Sequence, residues 1–91
     1  MRRVHVTVDG QVQGVGYRYT ARLIAVEAGV TGWVRNRRDG TVEAEVEGAE
    51  DAVDEMLAWM AEGPPGARVD AARVTEIPPA GGRGFDVRDT A

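Results

Sequence analysis

Val4, Val6 and Val8 alternate with Arg3, His5, Thr7 and Asp9, and further on Val42, Ala44 and Val46 alternate with Glu43, Glu45 and Glu47. Period-two patterning of this kind requires a sheet with one buried face, so the rest of the chain must supply a cover for it. Two helical repeats can do so. In Tyr17–Ala28 the apolar residues Tyr19, Leu23, Ile24 and Val26 recur at roughly helical spacing, and Gly29 is placed to end the helix. Ala49, Ala52, Val53, Met56, Leu57 and Met60 fall on one face of a second helix, whose acidic first turn (Glu50, Asp51) complements the helix dipole.

The remaining segments complete the order. Thr31–Arg37 and Thr41–Glu47 read as strands joined around Asp39-Gly40, a strong hairpin signal. Gly63-Pro64-Pro65-Gly66 stops the second helix, Arg68–Ile77 reads as a strand, and a short last strand is expected around Phe85 and Val87. The succession β-α-β-β-α-β predicts an α+β, ferredoxin-like sandwich, an antiparallel sheet with two helices on one face. The 91 residues make a single domain, 1–91, because a chain this short buries only about 60 to 65% of its unfolded surface in one core.

Composition narrows the chemistry. The chain has no cysteine, which removes disulfides and thiolate chemistry, and every basic residue is arginine. A Schiff-base or Walker-type lysine is therefore excluded, while arginine remains suited to two-pronged phosphate recognition. The net charge of −4 opposes broad nucleic-acid binding. Its distribution is uneven, with five arginines against one acid in residues 10–38 and eight acids with no base in residues 43–62. The longest apolar stretches are too short to span a membrane and no hydrophobic signal core is evident, so a cytoplasmic, monomeric protein is expected.

Two segments stand out. Gly10-Gln11-Val12-Gln13-Gly14-Val15-Gly16-Tyr17-Arg18 joins a strand to a helix start, and its glycines permit conformations that turn successive N–H groups toward one point, a concavity for an anion. An arginine is not the favoured neighbour of a helix N-terminus, so Arg18 points to a ligand whose negative charge offsets the cost. Read alone, the loop is also compatible with a simple tight turn and a solvated Arg18. The second segment is Gly32-Trp33-Val34-Arg35-Asn36-Arg37-Arg38-Asp39-Gly40-Thr41-Val42, closing at Gly48. Asparagine is depleted in strands, and an amide that both donates and accepts suits the orientation of water beside an anion. Asn36 is equally compatible with a polar lead into the hairpin.

Together the two segments closely resemble the signatures of the acylphosphatase family, and the resemblance extends over the whole chain. It implies a hydrolase that splits acyl phosphates into carboxylate and inorganic phosphate. By position it implies that Arg18 binds the phosphate and that backbone N–H groups of Gln13, Gly14, Val15, Gly16 and Tyr17 cradle it. Asn36 would orient the attacking water, and Thr41 would be an auxiliary polar residue. The partners implied are a small acyl phosphate and inorganic phosphate, as product and inhibitor, with no membrane or nucleic acid.

Other residues receive plainer expectations. No cofactor and no metal are expected, and Glu43, Glu45 and Glu47 read as the wet face of a strand. His5 reads as a solvated sheet residue. Met56, Trp59 and Met60 belong to or border the core, while Arg35, Arg37 and Arg38 would add a positive field around the mouth. The competing functions are a non-catalytic anion-binding or regulatory ferredoxin-like module, and the acylphosphatase-like domain of carbamoyl-transferring maturation proteins. The first is separated by a hydrolysis assay, and zinc-finger cysteines would mark the second.

Overall fold

A computed structural model describes residues 1–91. The elements run β1 (Arg2–Gln11), α1 (Tyr17–Ala28), β2 (Thr31–Asn36), β3 (Val42–Gly48), α2 (Glu50–Glu62), β4 (Arg68–Ile77) and β5 (Phe85–Arg88). The sheet order is β4-β1-β3-β2-β5. The first four strands pair antiparallel, as the ferredoxin-like order predicts. β5 adds beside β2 in parallel, which makes the five-stranded sheet mixed.

Alternation decides which face is dry. Val4 lies opposite Val46, Val6 opposite Ala44 and Val8 opposite Val42, and all six are fully buried. Each buried valine contributes roughly 1.5 kcal/mol or more to stability. With Val53, Met56 and Met60 of α2 and Tyr17, Ala21 and Ala25 of α1 they form one core between the helices and the sheet. Trp59 borders that core as expected, its ring 5.2 Å from that of Tyr17.

The face presented by α1 differs from expectation. Ile24 is partly buried against the core, but Tyr19, Leu23 and Val26 point to solvent, and the helix buries Tyr17, Ala21 and Ala25 instead. Alanines let a helix axis sit close on a sheet, so the smaller side chains take the inner face. Gly29 ends the helix in the left-handed conformation, its N–H donating to the carbonyls of Ala25 and Val26.

The outer face of the sheet also departs from the expected wet surface. Glu43 and Glu47 are 8% and 5% exposed, and Arg3 is 8% exposed. Arg3 donates to Glu45 at 2.9 Å and to Glu47 at 3.3 Å, and Arg35 donates to Glu43 at 2.8 Å. His5 is half-buried rather than solvated, with Nε2 at 2.7 Å from Glu43. Carboxylates aligned on a central strand are sheltered because cations on both neighbouring strands fold over them.

Candidate active site

The loop between β1 and α1 builds a cavity at the N-terminus of the helix. Gly14 and Gly16 have φ of 75° and 77°, and an added Cβ would touch nothing at either position. The left-handed backbone itself therefore calls for glycine there. Of the backbone bonds formed outside helices and strands, none is donated by Val12, Gln13, Gly14, Val15 or Gly16. The first helical bond runs from the Thr20 N–H to the Gly16 carbonyl, so the amides of Tyr17, Arg18 and Tyr19 precede it without intrahelical acceptors. No side chain caps this end and its first turn holds no acid. Such a run of free donors at a helix N-terminus is a ready anion site.

The resulting pocket has a volume of about 170 Å³ and is lined by Gly14, Gly16, Arg18 and Asn36, with Val12, Tyr17 and Tyr19 as its apolar part. That volume matches roughly six waters, enough for a phosphoryl group and an attacking water. Arg18 and Asn36 thus meet at one cavity although they lie on α1 and β2. Arg18 donates one N–H to the Arg88 carbonyl at 2.9 Å, an anchor that leaves its other donors for a ligand. The Asn36 carbonyl accepts from the Ala91 N–H at 3.0 Å, which ties the end of β2 to the C-terminal residues.

The other residues expected at the site have different surroundings. The Gln13 side chain turns away from the cavity and donates to the carbonyls of Arg37 at 2.7 Å and Thr41 at 2.9 Å. Val15 packs beside the core. The Tyr17 hydroxyl donates to the Met60 carbonyl at 2.8 Å, and burial pushes its pKa up, so this phenol stays protonated. The Thr41 hydroxyl donates to Asp39 at 2.6 Å. Together with the Thr41 N–H, that bond holds the Asp39 carboxyl below the usual carboxylate range. Thr41 therefore meets the loop through its carbonyl, not its hydroxyl. Arg35 is paired to Glu43 and lies over the Trp33 ring at 4.8 Å, on the outer face of the sheet. It is not among the residues that line the pocket. Arg37 and Arg38 are exposed in the hairpin turn.

Sequence reasoning missed two contributors. Tyr19 lies at the lip of the pocket, and the Gln13 amide fastens the loop to the hairpin. Tyr19 directly follows Arg18 in the first helical turn, which was the available signal. A larger, more open depression of about 620 Å³ lies at Met1, Arg2, Ala49, Glu50, Asp54 and Glu76. Its arginine is already held by Glu76 and Asp54, so its remaining charge repels phosphate.

A family model described as Acylphosphatase matches residues 4–87. The acylphosphatase of Trichormus variabilis is 54% identical over 86 residues, covering 94% of this chain and 85% of that one. That of Rubrobacter xylanophilus is 54% identical over 88 residues, covering 96% and 80%. The crystal structure of the Bacillus subtilis acylphosphatase superposes with a TM-score of 0.93 at 37% identity, covering 97% of this chain and 99% of that one. With both signature segments inside the matched span and the same fold around them, the chain belongs to the acylphosphatase family.

Proposed function

We propose that the chain hydrolyses the carboxyl–phosphate bond of acyl phosphates in the pocket between Gly14, Arg18 and Asn36. Acyl phosphate hydrolysis is the activity of the family to which the chain belongs. The observation that carries the assignment of this pocket is the uncapped N-terminus of α1, whose free amides and first-turn arginine surround one cavity free of acids.

In this reading the phosphoryl group sits in the cradle formed by the amides of Gln13 to Tyr17, with Arg18 neutralising its oxygens. The Asn36 amide holds a water in line with the bond to be broken. The water oxygen bonds to phosphorus as the phosphorus–carboxyl oxygen bond breaks, and the electron pair leaves with the carboxylate. The water's proton passes to a phosphate oxygen. A carboxylate is a good leaving group at neutral pH, so no general acid is required, and positioning with charge stabilisation supplies most of the acceleration. Inorganic phosphate is the product, and as an occupant of the same cradle it competes with substrate. We take the enzyme to act as a cytoplasmic monomer, with Thr41 supporting the site through its backbone. No helix of the structure is long and apolar enough to cross a membrane.

The test is hydrolysis of acetyl phosphate by the purified chain in the presence of excess chelator, with inorganic phosphate titrated in. Turnover that persists in chelator and is competitively inhibited by phosphate is expected. Binding of phosphate without any turnover would instead favour the anion-binding module.

A further inference from the structure

Tyr19, Leu23 and Val26 follow one another at i, i+4 and i+7 on α1 and are 67%, 67% and 64% exposed. They lie on the side of the helix opposite the buried Tyr17, Ala21 and Ala25, so no part of the fold covers them. The stripe extends about 10 Å along the helix. It starts at the pocket: of the three apolar side chains in the lining, Val12 and Tyr17 are buried and only Tyr19 is open to an incoming ligand. Helical side chains lean toward the N-terminus, the direction in which the pocket lies from Tyr19, and Tyr19 is part of its rim.

A phosphate seated on the amides of the cradle must project its acyl group out of the mouth, where Tyr19 is the apolar surface it meets first. We infer that Tyr19, continued by Leu23, is the acyl-binding surface and sets a preference for acyl phosphates with an aromatic or extended apolar acyl group over small or charged ones. The inference rests on the proposed function. An aromatic acyl ring stacked on an exposed Tyr19 would gain a selectivity of roughly three- to tenfold.

The experiment compares kcat/KM for benzoyl phosphate and acetyl phosphate in the wild-type chain and in Tyr19→Ala, Tyr19→Phe and Leu23→Ser. The intrinsic difference between the two leaving groups is the same in every variant, so it cancels from the change in their ratio. The ratio is expected to fall roughly three- to tenfold in Tyr19→Ala and to be kept in Tyr19→Phe. A smaller fall is expected in Leu23→Ser. An equal loss on both substrates in Tyr19→Ala, leaving the ratio at its wild-type value, overturns the inference. So does a dimer detected by sedimentation that dissociates in Leu23→Ser while the ratio stays constant, since a second copy then occupies the stripe. A wild-type chain that hydrolyses neither substrate contradicts the proposed function itself, a separate failure.

Discussion

The side-chain amide of Gln13 donates to the backbone carbonyl of Thr41 at 2.9 Å and, with its other hydrogen, to that of Arg37 at 2.7 Å. These two carbonyls flank the turn in which the Arg37 N–H donates back to Thr41. One primary amide thus fastens the cradle loop to the hairpin whose first strand ends in Asn36.

Gln13→Ala breaks both bonds without touching the pocket. A stability loss of about 1–2 kcal/mol is expected from the two hydrogen bonds, and a fall in kcat of roughly tenfold from the looser relation between cradle and water. Gln13→Glu should be worse in both respects, because a carboxylate would face two carbonyl oxygens. Thermal unfolding and kcat measured together check this; full activity in a folded Gln13→Ala would reduce the contact to a structural one.

Gly16 and Gly29 offer an internal comparison, since their backbones are nearly the same, φ 77° and ψ 18° against φ 79° and ψ 24°. Neither has an obstacle to a Cβ. Alanine at either position should cost about 1–2 kcal/mol of stability through left-handed strain. Activity should separate them. Gly16→Ala distorts the cradle and lowers kcat/KM at a temperature where the variant is folded, while Gly29→Ala leaves kcat/KM as it was. Equal kcat/KM for the two variants would remove Gly16 from the site.

Glu47 links the outer sheet face to pH. Its carboxylate accepts the Ala80 N–H at 2.7 Å. That bond, opposed by burial and assisted by Arg3 and the Gly81 N–H, holds its pKa below the usual carboxylate range. A depressed folded-state pKa favours the charged form in the native state. The contribution is thus present above the unfolded value of about 4.3 and is lost as pH falls through the folded one. Denaturant unfolding should find Glu47→Gln less stable than wild type at pH 7, and the gap should shrink by pH 3. A gap independent of pH would show that the charge is immaterial.

Much of the fold was legible because period-two valines admit only one buried face and Asp39-Gly40 marks a turn. What could not be read depended on distances between elements. The inner face of α1 went to Ala21 and Ala25 because a close helix–sheet approach favours small side chains, whereas summed hydrophobicity points to Tyr19, Leu23 and Val26. The burial of Glu43 and Glu47 depends on Arg35 and Arg3 arriving from neighbouring strands, a relation that exists only once register is set. Arg18 and Asn36 were readable as unusual residues for their local positions. Their meeting at one cavity required the sheet order, which brings β2 beside the start of α1.

In the proposed reaction Arg18 and Asn36 divide the labour, Arg18 holding phosphate and Asn36 holding water. Arg18→Gln removes a charge-assisted contact and should lower kcat/KM by roughly ten- to a hundredfold, with weaker phosphate inhibition. Asn36→Ala leaves the cradle intact, so its signature differs. The most direct measurement is kcat, the phosphate inhibition constant and thermal unfolding on one preparation of Asn36→Ala. That division of labour predicts a folded protein with nearly wild-type phosphate inhibition and a kcat lower by about a hundredfold or more. A folded Asn36→Ala with near-normal kcat would contradict it.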